Sequence, residues 1–193
     1  MKNEENILNF GAGIREVAEA LHEIVNWECF PVSHAATIVN SIFPLAAGGG
    51  SFKDLPSPTR RAVYLLTDTV FRKKERVLRR DVGDVALVDG LINMSLFEKH
   101  PTCIDVVFAL FAHLSKTWTL APAQLDAMWE SFIRYFPVSM SGTVKDPSLP
   151  SKEKMRDLLL QCIVSSDYYA DGALKLCLEK LDTNSDISAD TKV

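Results

Sequence analysis

The sequence predicts an all-α chain: an α-solenoid of HEAT-type antiparallel helix hairpins, about eight helices in four hairpins. Three observations predict it. Apolar residues recur at the 3.6-residue period along most of the chain and nowhere settle into strand alternation. Short polar links separate consecutive helices late in the chain, which makes the joined helices antiparallel neighbours. Corresponding hairpins begin near Ser57, Pro101 and Ser151, at intervals of 44 and 50 residues, close to the ~40–47-residue period of HEAT and armadillo repeats plus one insertion. A compact helical bundle would share the first two features.

The elements follow in order. Ile14, Val17, Ala18, Leu21 and Val25 form the first stripe. Ile38, Val39, Ile42 and Phe43 form the second, which Pro44 and the Gly48-Gly49-Gly50 loop are expected to end. Val63, Leu66 and Val70 belong to a third helix opened by Ser57-Pro58, with the serine as N-cap and the proline where no donor is needed. Val85, Val88, Leu91 and Ile92 follow Asp81, the expected N-cap of the fourth helix. Ile104, Val107, Phe108, Phe111 and Leu114 follow His100-Pro101. Val106, Ala109 and Leu110 widen that stripe, so this helix needs cover on two sides, as a layer between neighbouring hairpins would have. Leu125, Met128, Trp129, Phe132, Ile133 and Phe136 make the widest stripe. Met155, Leu158, Leu159, Cys162 and Ile163 come after Ser151, and Ala170, Leu174, Cys177, Leu178 and Leu181 after Asp167. The domain is expected to run over residues 1–182. It carries a proline-containing surface loop at 137–150, and a polar tail at 183–193 follows.

Composition excludes several classes. The chain has 21 Lys and Arg against 25 Asp and Glu, a net charge of −4, unlike a dedicated nucleic-acid-binding domain. Its apolar fraction of 47% is that of a folded chain rather than a disordered one. No apolar run reaches the ~18 residues of a membrane span, and the polar start Met1-Lys2-Asn3-Glu4-Glu5 does not read as a signal peptide. Cys29, Cys103, Cys162 and Cys177 are widely spaced among apolar residues and are expected to be buried, reduced thiols, as in a cytosolic or nuclear protein.

Candidate chemistry is sparse. Gly48-Gly49-Gly50-Ser51 lacks the Lys-Ser/Thr of a phosphate loop. His100-x-x-Cys103 has no second ligand pair to complete a zinc site. Glu16, Glu19 and Glu23 read as a solvated helix face. No nucleophile–base pair stands out, and no enzyme activity or cofactor is expected. One charged feature remains: Arg72, Lys73, Lys74, Arg76, Arg79 and Arg80, after Arg60-Arg61, place eight of the 21 basic residues between 60 and 80. They read as cations that complement a helix C-terminus ahead of Asp81 and Asp84, as a protein-binding patch, or, least favoured because no aromatic residues interleave, as a nucleic-acid patch that meets phosphates.

The stretch from Tyr135-Phe136-Pro137-Val138 through Asp146-Pro147, and on to Leu178-Glu179-Lys180-Leu181-Asp182, resembles the N-terminal domain of the Mms-nineteen family. So do Leu55-Pro56 through Val63-Tyr64 with Phe71-Arg72, and Glu98-Lys99-His100-Pro101 with Val106-Val107-Phe108-Ala109. The resemblance covers roughly residues 55 to 182 and departs from the family in the loop, where Gly142-Thr143-Val144 replace consecutive prolines. The family is several times longer, so the chain resembles a fragment of its N-terminal half. The resemblance implies a HEAT-repeat scaffold of the cytosolic iron–sulfur assembly targeting complex, linked to nucleotide excision repair and transcription, in cytoplasm and nucleus. It implies as partners the other subunits of that complex and apo iron–sulfur clients such as repair and transcription helicases, DNA polymerases and primase. No direct nucleic acid or membrane partner is implied. For contact residues, the expectation falls on the 137–150 loop, with Pro137, Pro147 and Asp146 (as an acceptor from N–H, Lys or Arg), and on the basic run Arg72–Arg80. The other reading of the same periodicity is a different HEAT or armadillo-type interaction module, such as a transport or transcription-complex subunit.

Overall fold

The computed structural model describes residues 2–47, 51–96, 98–138 and 149–189, with side chains described over 11–45, 52–96, 98–138 and 149–181. Among them are ten α-helices, one 3₁₀ turn and no strand. In chain order the helices are α1 (Lys2–Val25), α2 (His34–Ala47), α3 (Ser51–Asp54), α4 (Ser57–Lys73), α5 (Glu75–Asp81), α6 (Asp84–Ser95), α7 (Pro101–Thr117), α8 (Pro122–Ile133), α9 (Lys152–Ile163) and α10 (Ala170–Ala189). Two layers form. In one, α1 packs on α4, α4 on α7 and α7 on α9; in the other, α2 packs on α6 and α6 on α8. The pairs α1/α2, α4/α6, α7/α8 and α9/α10 therefore stack in chain order, a solenoid-like arrangement, with α5 inserted in the second pair.

The middle helix α7 shows why stacking holds. Cys103, Ile104, Val106, Val107, Phe108, Leu110, Phe111 and Leu114 are all buried, so both of its faces are covered, as the widened stripe predicts. Each fully buried Leu or Phe contributes about 1.5–3 kcal/mol relative to exposure. Phe71 stacks parallel to Trp118 at 5.8 Å and ties α4 to the α7–α8 link. At the other end of α8, Trp129, Phe132 and Tyr169 pack ring on ring at 5.4–5.5 Å, fastening the start of α10. A Cβ at Gly172 would lie 3.0 Å from the Trp129 ring.

Several local expectations are corrected. Ser57 is not the N-cap of α4: Pro56 holds that place with φ −54° and ψ 144°, and no side chain caps the helix. Consecutive constraints at Pro56 and Pro58 start the turn one residue early, leaving Ser57 inside it. Asp81 does not cap the next helix but ends α5; the N-cap of α6 is Gly83 at φ +90°, a backbone that glycine adopts without steric cost. The basic run is split by Lys74, at φ −120° and ψ 19°, which closes α4 and opens α5. Pro44 lies inside α2, which continues to Ala47. Ser151 does cap α9, accepting from the Lys154 N–H at 3.1 Å. Ser166 caps the 3₁₀ turn Asp167–Tyr169 that leads into α10. Helix α10 runs on to Ala189, into the segment expected as a polar tail from residue 183.

Burial corrects others. Cys103 and Cys162 are buried, but Cys29 and Cys177 are exposed. Val85, assigned to a core stripe, is exposed, as are Leu174, Leu178 and Leu181. No described helix covers the outer face of α10, so its apolar stripe meets solvent. Gly48–Gly50 lie outside the described residues.

Candidate functional site

The sequence marks that carry the family resemblance converge on one joint. Arg60 projects from the first turn of α4, and Glu98 comes from the link between α6 and α7. The Arg60 Nε donates to Glu98 Oε2 at 2.8 Å and its Nη2 to Oε1 at 2.9 Å. The Glu98 side chain is 4% exposed and the Arg60 side chain 14%. Glu98 Oε1 also accepts the backbone N–H of Lys99 and of His100, both at 2.9 Å. Arg60 further donates to the Leu55 carbonyl. The buried Tyr64 hydroxyl donates to the Met94 carbonyl at 2.9 Å. Tyr135 reaches over from the end of α8 and donates to the Glu98 carbonyl at 2.5 Å, with its ring edge-on to Phe108.

The charges set each other. Burial pushes the Glu98 carboxyl up, but the Arg60 guanidinium and the two backbone N–H groups together hold it below the usual carboxylate range. The Glu98 hydrogen bond in turn raises Arg60, against the opposing effect of burial. Burial, with Glu98 nearby, pushes the Cys103 thiol up to about 12, and burial raises Cys162 as well. Neither buried thiol ionises near neutrality, so neither has the thiolate character of a reactive cysteine. Among the described residues, no group of three or more His, Cys, Asp or Glu is placed to hold a metal ion.

Beside this joint the chain leaving α8 forms a groove of about 440 Å³. Phe136, Pro137 and Val138 line one wall; Leu159, Leu160 and Ile163 of α9 supply apolar floor, and Lys152, Arg156 and Asp157 stand at the rim. Leu160 is 55% exposed. Lys152, Arg156 and Leu160 are spaced four residues apart on α9 and so share one helix face. That spacing was legible in the sequence, but the cations carried no signal until Pro137 was seen opposite them.

Of the residues expected to make contacts, Pro137 lines this groove and is exposed. Asp146 and Pro147 lie outside the described residues. The basic run is largely engaged within the fold. Arg72 pairs with Asp68 at 2.7 Å and donates to the Ala109 carbonyl on α7. Lys74 sits 5.1 Å over the Phe30 ring. Arg79 is held by Asp84 at two oxygens, 2.8 Å each, and by Glu75, while its guanidinium lies 5.0 Å from the Trp118 ring. Arg80 pairs with Asp81 at 2.6 Å. Lys73 and Arg76 are exposed. Among the described residues the basic run and Pro137 therefore stand apart: the former ties α4 and α5 to their neighbours, and the latter borders α9.

A family described as Dos2-interacting transcription regulator of RNA-Pol-II, represented by its MMS19 N-terminal domain, matches residues 7–191. The MMS19 nucleotide excision repair protein of Drosophila melanogaster is 29% identical over 106 residues, which is 55% of this chain and 11% of that protein. The Homo sapiens homolog is 25% identical over 171 residues, 88% of this chain and 16% of that protein. The Xenopus tropicalis homolog is 23% identical over 169 residues, 87% and 16%. The chain thus spans well under a fifth of the length of these relatives. No solved structure matches. With a match that runs through all four hairpins, the chain belongs to the MMS19 N-terminal domain family.

Proposed function

We propose that the chain is a non-enzymatic docking segment of a nucleotide-excision-repair scaffold. The observation that carries this reading is the family match over residues 7–191, whose relatives are named nucleotide excision repair proteins. The stacked hairpins support it physically, since each pair adds continuous surface on which a large protein can lie. More finely, the segment helps deliver iron–sulfur clusters by holding apo-proteins, among them repair and transcription helicases, DNA polymerases and primase. In this reading it acts in cytoplasm and nucleus beside the other subunits of the cytosolic iron–sulfur assembly targeting complex, and partner subunits carry the cluster as cargo. The Phe136–Ile163 groove is the contact surface, its apolar floor taking a side chain of the client and Lys152 and Arg156 pairing with acidic residues beside it.

Capture from solution tests this. Immobilised chain is expected to retain an apo iron–sulfur helicase in preference to the cluster-loaded form, and Lys152→Glu with Arg156→Glu should abolish the preference. Equal retention of both forms would overturn cluster delivery. Selective retention of transport cargo, with no iron–sulfur client, would favour a transport module instead. The family's description as a transcription regulator favours a second reading, docking on the transcription machinery. Retention of a polymerase subunit that carries no cluster would distinguish it.

A further inference from the structure

Residues 68–84 hold six cations and four carboxylates, a local surplus of positive charge in a chain whose net charge is −4. The packing decides where that surplus stands. All four carboxylates are taken by arginines: Asp68 by Arg72, Glu75 and Asp84 by Arg79, and Asp81 by Arg80. Lys74 sits over the Phe30 ring. Lys73 and Arg76 are left exposed, with no ion pair among the described residues. Helix chemistry accounts for one of the two. Lys73 ends α4, where a cation complements the helix dipole. Arg76 stands in the first turn of α5, the end at which the dipole disfavours positive charge. No partner within the described fold offsets that placement.

Both residues line an open pocket of about 510 Å³ at the break between α4 and α5, together with Arg72, Glu75 and Arg79. Arg72 and Arg79 bring donors there rather than net charge. Asp68 and the Ala109 carbonyl fix the Arg72 guanidinium; Asp84, Glu75 and the Trp118 ring fix that of Arg79. A guanidinium carries five N–H donors, so each retains N–H groups for a further acceptor. The pocket thus joins two pre-positioned forks to two uncompensated charges, and the ligand that suits it is anionic. A nucleic-acid strand draws its affinity from many phosphate contacts, of which two free cations supply few. Trp118, the ring beside Arg79, is 5% exposed and already stacked on Phe71, so it offers no open face to a base. Side chains of two helices contribute, so several carboxylates on one short peptide engage more of them than a single small anion does.

We propose that the α4–α5 pocket is a docking site for a short acidic segment of a partner protein. Asp or Glu carboxylates of that segment pair with Lys73 and Arg76 and accept from the spare N–H groups of Arg72 and Arg79. The site is separate from the Phe136–Ile163 groove and holds whether or not apo iron–sulfur proteins bind there.

The probe is a short labelled peptide of aspartates and glutamates spaced by glycine and serine, titrated against the full chain. It is compared with the same peptide bearing asparagine and glutamine, with inorganic phosphate, and with a single-stranded DNA oligonucleotide of equal charge. The acidic peptide is expected to bind saturably, to weaken as salt rises, and to outcompete the others. Lys73→Glu with Arg76→Glu should weaken binding about tenfold or more. Lys73→Arg with Arg76→Lys keeps both charges and should bind within about twofold of the wild type. Lys175→Glu with Lys180→Glu, at exposed positions on α10, changes the net charge equally and should leave binding unaltered. Circular dichroism checks that each variant keeps its helix content. Lys73→Gln with Arg76→Gln, which adds no like charge, should weaken binding about threefold and reads out even if the double reversal unfolds. Equal binding of the amide peptide, insensitivity to the reversal at Lys73 and Arg76, an equal loss on reversal at Lys175 and Lys180, or stronger binding of the oligonucleotide or of phosphate would each overturn the proposal. Failure of helicase capture at Lys152 and Arg156 would leave these results untouched.

Discussion

Replacing Glu98 tests the joint that the family marks share. Glu98→Ala removes a carboxylate that is 4% exposed and leaves the Arg60 guanidinium, 14% exposed, without its partner. Breaking a buried ion pair by deleting one member costs about 3–5 kcal/mol. Arg60 keeps its bond to the Leu55 carbonyl and some access to water, which points to the lower end, about 3 kcal/mol. For a chain of this size each kcal/mol moves Tm by about 2–4 °C, so a fall of roughly 6–12 °C is expected in a thermal melt at neutral pH. Glu98→Gln keeps an acceptor for the Lys99 and His100 N–H groups but gives up the charge, and should cost about 1–2 kcal/mol. The pH dependence supplies the sign. The folded Glu98 is held below its unfolded value, so its contribution is complete above the unfolded value of about 4.3 and is lost as pH falls through the folded one. The Tm gap between wild type and Glu98→Gln should therefore narrow as pH is lowered from 7 towards 3. Tyr135→Phe, which removes only the 2.5 Å bond to the Glu98 carbonyl, should cost about 1 kcal/mol. A Glu98→Ala shift under about 2 °C, or a Glu98→Gln gap that stays constant with pH, would refute the picture of a buried, mutually charged joint.

Two further outcomes follow from packing. Gly90→Ala places a Cβ 2.3 Å from the Phe43 ring where α6 meets α2. Phe43 must move, so urea denaturation should show a loss of about 1–3 kcal/mol. Arg79→Ala removes two carboxylate partners and the contact with Trp118 and is expected to destabilise by about 1–2 kcal/mol. Arg76→Ala, on an exposed side chain of the same helix, should stay within about 0.5 kcal/mol. Equal effects of the two would mean that the basic run is one solvated patch after all.

Helix placement was legible because it is local. The stripes at Ile104–Leu114 and Leu125–Ile133 announce α7 and α8 through spacing alone, and the double-faced α7 announces that something must lie on both sides. Cap positions were less legible. Ser57 and Asp81 are good caps by type, yet Pro56 and Gly83 took the places because backbone conformation, φ −54° in one and +90° in the other, decided where each turn begins. Of the candidate site, the proline after α8 was legible and its partners on α9 were not. Lys152 and Arg156 matter only because the chain leaving α8 passes beside them.

By itself the sequence determined that this chain is helical and that its helices pair, since apolar period and link length act over a few residues at a time; that the pairs stack in chain order was settled by the packing. Only the tertiary structure decided which charges cancel and which apolar faces stay open. Arg60 meets Glu98 across 38 positions, Arg72 meets α7 across 37, and the stripes of α1 and α10 look like any other stripe until the neighbour is found to be absent among the described helices. A periodic pattern states that a face is apolar; whether another element covers it is a property of the whole packing.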